Sequence, residues 1–103
     1  MRVVWHQQAK EGRNQVANYI GREFGKKRKM RFLQEVRQVT QMLKSSPNIG
    51  QIDPLFADRP ITYRSVIINS RNKMVYYVDG NTVRIADFWD TRCEPKAQAE
   101  RTE

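Results

Sequence analysis

Tyr63-Arg64-Ser65-Val66-Ile67-Ile68, Met74-Val75-Tyr76-Tyr77-Val78-Asp79-Gly80-Asn81 and Val83-Arg84-Ile85-Ala86-Asp87-Phe88-Trp89-Asp90-Thr91-Arg92-Cys93-Glu94-Pro95 decide the fold of this chain. Apolar and polar residues alternate through these three runs and short turn signals separate them, which predicts a three-stranded antiparallel meander. Asp79-Gly80 and Gly80-Asn81 both suit a two-residue turn that needs positive φ. Either choice puts Met74, Tyr76 and Val78 on one face with Val83 and Ile85. A turn at Ser70-Arg71 adds Tyr63, Ser65 and Ile67 to that face, the one expected against helices. Arg64, Val66, Ile68, Val75, Tyr77, Thr82, Arg84, Ala86 and Phe88 then share the open face, and continued parity adds Arg92. In this register Arg64, Tyr77 and Arg84 align across three strands as a surface for phosphate or an acidic partner. A slip of one residue reverses every assignment, so the turns carry the inference.

Working outward, Arg2 to His6 reads as a short strand rich in β-branched and aromatic residues. Val16, Ala17, Ile20 and Phe24 fall at steps of three and four, predicting a helix over about 7–24 that Gly25 terminates. A second helix is expected over about 27–44, with Phe32, Leu33, Val36, Val39 and Leu43 on its buried stripe and Ser45-Ser46-Pro47 as its stop. Residues 47–61 carry three of the four prolines and read as an ordered loop. The expectation is an α+β domain over 1–95: an N-terminal strand, then a helical hairpin packed on a twisted antiparallel sheet of three to four strands. Residues 96–103 form a polar tail.

The chain has 103 residues, enough for one domain with a real core. Nineteen Lys and Arg against eleven Asp and Glu give +8, which predicts attraction to nucleic acid, ribosomes, anionic membranes or an acidic protein. No stretch approaches the roughly twenty apolar residues of a membrane span. The single cysteine, Cys93, excludes an intramolecular disulfide and suits a reducing cytoplasm. His6 is the sole histidine, so a histidine-rich metal site is excluded, and neither metal nor cofactor is expected. The cluster Gly25-Lys26-Lys27-Arg28-Lys29-Met30-Arg31 is a candidate contact for phosphates or an acidic partner, weighed against a solvated helix start. Gly21-Arg22-Glu23-Phe24-Gly25-Lys26-Lys27 is not a phosphate loop: it is one residue short, lacks the Ser or Thr, and does not follow a strand.

The element order, Trp5 and Ala9 entering the first helix, Leu43-Lys44-Ser45-Ser46-Pro47-Asn48-Ile49-Gly50, Tyr63-Arg64, Tyr76-Tyr77 and Phe88 to Pro95 together carry a resemblance. The chain is similar, nearly to Pro95, to the RelE/ParE toxins of bacterial type II toxin–antitoxin systems. The resemblance implies a cytoplasmic bacterial toxin neutralised by a cognate antitoxin through an acidic or amphipathic segment. It implies one of two targets: RelE-like members cut messenger RNA in the ribosomal A site, and ParE-like members block DNA gyrase. For metal-independent RNA cleavage, Arg64 and Arg92 match the family's phosphate-binding arginines. Arginine stays protonated, so Asp90, Glu94, Tyr77 or Asp87 must supply acid–base function. Arg84, Arg59, Lys26 and Lys27 are the further candidates for RNA or phosphate contact. Net charge and the Arg64–Tyr77–Arg84 row favour ribosome-dependent mRNA cleavage. Gyrase inhibition is the alternative, and it better fits a loop, Leu55-Phe56-Ala57-Asp58-Arg59, without the lysines of RelE-like enzymes. A degenerate member that only binds its antitoxin is a third reading.

Overall fold

A computed structural model describes residues 1–91. The elements are β1 (Arg2–Trp5), α1 (Gln7–Phe24), α2 (Lys26–Ser45), β2 (Gln51–Ile52), β3 (Arg64–Ile68), β4 (Asn72–Asp79) and β5 (Thr82–Asp90), with a 3-10 turn at Pro54–Phe56. Both helices follow their apolar spacing, and α1 has the predicted bounds. Gly25 alone joins them: at φ 96° it reaches a conformation costly for other residues, and its N–H donates to Gly21 O at 3.1 Å. A one-residue connection leaves the helices antiparallel and adjacent, with α2 starting on four consecutive cations.

The sheet has five strands in the order β1-β5-β4-β3-β2, one more than the upper end of the sequence expectation. It is mixed rather than wholly antiparallel, because β1 pairs parallel to β5 with Val4 opposite Arg84. The helical hairpin supplies the crossover that a parallel pair requires. The expected loop 47–61 contains the extra strand β2, which pairs with Arg64 and Ser65 of β3.

The helices cover one face of the sheet. There Ala9, Ala17, Phe32, Val36 and Leu43 meet Ile68, Met74, Tyr76, Val83, Ile85 and Phe88. A smaller core of Phe56, Val75 and Trp89, flanked by Leu55 and Tyr63, lies on the opposite face where the chain from Asp53 folds back.

Two local features overturn the sequence register. Ile68 pairs with Asn72, so three residues, not two, turn the first hairpin. Asn69 and Ser70 supply the positive φ values, 57° and 61°. The extra residue exchanges the faces of β3: Val66 and Ile68 pack under the helices, whereas Ser65 and Ile67 share the other face with Val75 and Lys73. Arg64, expected beside Tyr77 and Arg84, instead pairs with Tyr76 on the helix side. The second feature is a bulge: Tyr76 pairs with Ile85 but Val75 pairs with Asp87, which leaves Ala86 unmatched. Beyond it Phe88 points into the main core rather than out of it. Only the second turn stands as expected, with Asp79 pairing Thr82 across Gly80-Asn81.

Candidate functional site

The face turned away from the helices carries a connected series of rings. His6 follows β1 and stands edge-on to Tyr77 at 5.9 Å between centroids; Tyr77 is edge-on to Tyr63 at 5.5 Å. Tyr63 lies 5.1 Å from Phe56, and Phe56 lies 6.4 Å from Trp89. The series crosses strands because the parallel β1 brings Val4, Arg84 and Tyr77 into one row, and His6 continues that face two residues on. The Tyr77 hydroxyl is 3.4 Å from His6 Nε2.

Cations lie along this series, each differently engaged. Arg84 Nε donates to Asp79 Oδ2 at 2.9 Å, an ion pair still open to solvent. The Arg59 guanidinium sits 5.7 Å from the centre of the Phe56 ring. Lys73 is half-buried between Phe56 and Trp89, and its Nζ meets the buried Asp53 carboxylate at 2.5 Å. Burial pushes the Tyr63 phenol above its usual value of 10.0; neighbouring Tyr77 adds to the rise and Arg59 opposes it.

Of the residues named from the sequence, Tyr77 and Arg84 are therefore together, and Arg59 joins them through Tyr63 and Phe56. Arg64 is elsewhere. Its Nη1 donates to Gly50 O at 2.9 Å and reaches Asn48 O at 3.5 Å, tying β3 to the segment after α2. Asp90 is also on the helix side, opposite Asn72, in a groove that includes Arg28, Arg31 and Arg71. Lys26 and Lys27 are exposed at the start of α2. Arg92 and Glu94 lie outside the described residues. Asp87 is fully buried and accepts hydrogen bonds from Gln8 Nε2 and the Phe88 N–H.

His6, Phe56, Lys73 and Trp89 are the residues the sequence did not place in the site, and Tyr63 was expected under the helices. The face alternation of β1 carried a signal for His6, legible only once β1 is known to lie beside β5. Chemically the face offers the partly open rings of His6, Tyr63 and Tyr77, two partly open guanidinium groups and one histidine–tyrosine contact, with Phe56 and Trp89 buried at the end of the series. Among the described residues, no group of three His, Cys, Asp or Glu side chains could hold a metal ion, and no helix is long and apolar enough to cross a membrane.

The family model described as "ParE toxin of type II toxin-antitoxin system, parDE" matches residues 3–95. That is most of the chain, which therefore belongs to this toxin family. Among solved structures, a chain of the chromosomal ParDE TA system from P. aeruginosa superposes with a TM-score of 0.71 at 15% sequence identity. The match covers 87% of this chain and 95% of that one, and at this identity it speaks to the fold alone. No curated protein matches the sequence.

Proposed function

We propose, from membership of the ParE toxin family of type II toxin–antitoxin systems, that this chain inhibits DNA gyrase by binding it and is restrained by a cognate antitoxin. The observation that carries this reading against RNA cleavage is the position of Arg64. Cleavage requires cations around the developing phosphorane together with an acid and a base. Arg64, assigned to the phosphate on resemblance, is on the helix side and committed to two loop carbonyls, away from Tyr77 and Arg84. Inhibition by binding needs no such set.

The test is induced expression with transcript-end mapping, alongside supercoiling by purified gyrase. Intact transcripts with gyrase-dependent DNA breaks, and loss of supercoiling in the purified reaction, are expected. Messenger RNAs cut at ribosome-occupied codons, with supercoiling untouched, would refute the reading.

Ribosome-dependent mRNA cleavage is kept as a second reading because the Tyr77 hydroxyl lies 3.4 Å from His6 Nε2, in the row that holds Arg84. If cleavage is observed, His6→Ala and Tyr77→Phe should each reduce it by roughly a hundredfold or more, the size of a general acid–base contribution. Arg64→Gln should reduce it only through stability.

A further inference from the structure

We infer that the outer face of α2 binds the phosphate backbone of duplex DNA. The helix carries seven Lys and Arg residues, at 26–29, 31, 37 and 44, against the single acid Glu35. Its buried stripe, Phe32, Val36 and Leu43, fixes which residues face outward. Lys27, Arg31, Gln34, Gln38 and Gln41 recur at steps of three and four on the opposite side, flanked by Lys26, Arg37 and Lys44; all are exposed. This outward arc contains five cations and no carboxylate. Among the described residues, none of the five belongs to an ion pair.

The geometry favours a duplex. Over 20 residues the helix is a rigid rod of about 30 Å, and its cations run from its first turn to its last. Duplex DNA presents a phosphate charge every ~1.7 Å of axis, so several cations can be met at once. A helix face also fits the major groove of B-form DNA, whereas that of A-form RNA is too deep and narrow for side chains. The arc has no aromatic residue on which unpaired bases could stack; its apolar member is Met30. Glutamines interleaved with cations supply neutral hydrogen-bonding groups at the same surface. Four cations in the first turn oppose the helix dipole; Arg28 lies over the Phe24 ring and Lys29 donates to Asn18 Oδ1, whereas Lys26 and Lys27 belong to the outward arc. An external polyanion relieves that repulsion.

This inference does not rest on the gyrase reading, since the contact belongs to the toxin alone. The test is fluorescence anisotropy of a labelled 20-base-pair DNA duplex against the cell-free-expressed chain, at salt between 50 and 200 mM. Parallel arms use an RNA duplex of the same sequence, single-stranded DNA, and poly-glutamate as a competitor. Each phosphate neutralised contributes about −0.9 to the slope of log affinity on log salt, so engagement of the arc gives a slope of roughly −3 to −5. The variant Lys27→Gln/Arg31→Gln/Arg37→Gln/Lys44→Gln should make the slope shallower by about three and cut affinity at least tenfold. Removing the same charge elsewhere, as Arg2→Gln/Lys10→Gln/Arg22→Gln/Arg71→Gln, should leave most of the slope in place. Folding of both is checked by circular dichroism. If the first variant is unfolded, Arg31→Gln/Arg37→Gln alone should remove nearly two from the slope.

Equal losses in the two variant sets would show net charge rather than this surface, and overturn the inference. So would tighter binding to the RNA duplex or single strand, displacement by poly-glutamate at equal charge, or no duplex binding at 50 mM salt. A chain that binds duplex DNA and leaves gyrase supercoiling unaffected refutes the gyrase reading and leaves this one standing.

Discussion

Replacing Gly12 by alanine tests how α1 seats on the sheet. Gly12 is buried, and a Cβ built there would lie inside the contact distance of the Phe88 carbonyl oxygen, with the Phe88 carbonyl carbon only 3.1 Å away. Both obstacles are β5 backbone, which cannot rotate aside as a side-chain end can. Relief therefore requires α1 to lift from β5, opening the contacts that Ala9 and Ala17 make in the main core. Overpacking typically costs about 1–3 kcal/mol, and a backbone obstacle belongs at or beyond the upper end, ~3–4 kcal/mol. Alanine returns ~1 kcal/mol of helix propensity over glycine. The net expectation is a loss of ~2–3 kcal/mol. A loss of ~2 kcal/mol lowers Tm by about 8–16 °C in a domain of this size.

Gly21→Ala in the same helix is the matched control. A Cβ there would meet the Lys29 Cδ at 3.0 Å, part of a half-buried but flexible side-chain stem that can shift, so up to ~1 kcal/mol of stabilisation is expected. Urea unfolding followed by circular dichroism measures both, with the midpoint read at unchanged m. If Gly12→Ala proves as stable as the parent, the reasoning that α1 rests on β5 backbone through this residue is wrong.

Other substitutions and conditions probe the remaining supports. The buried Tyr76 hydroxyl donates to Pro47 O at 2.7 Å and accepts the Gly50 N–H at 2.9 Å, so Tyr76→Phe should cost about 1–3 kcal/mol in urea unfolding. Lys73→Met removes the partner of the buried Asp53 and should cost about 3–5 kcal/mol; Asp53→Asn/Lys73→Met should restore part of that loss in a double-mutant cycle. Burial raises the phenol of Tyr63, and it also raises that of Tyr76 despite the Gly50 N–H and nearby Arg64. The folded chain thus keeps these protons to higher pH than the unfolded chain, whose tyrosines titrate near 10.0. Their contribution to stability is complete below that value and is lost as pH rises through the folded values. Urea midpoints should therefore fall between pH 9 and 11, more in the parent than in Tyr63→Phe.

Local pattern was enough for the order of the elements other than β2, both helices, a two-residue turn at Asp79-Gly80 or Gly80-Asn81 and the resemblance to a toxin family, because apolar spacing and turn chemistry act within a few residues. It also showed the basic start of α2, since charge is additive along a chain. The distribution of side chains between the two faces of the sheet was a different matter. A third residue in the Asn69-Ser70-Arg71 turn and the unmatched Ala86 in β5 each shift a period-two pattern by one, sending Arg64 and Phe88 to the helix side. Nor could local spacing bring His6 to Tyr77, 71 residues away, which depends on β1 docking parallel to β5. Parity along a strand is a one-dimensional property only while the turns and ladders are regular. Where a loop lengthens or a ladder slips, burial of the apolar set against the helices chooses the face, and that choice is made only in the assembled fold.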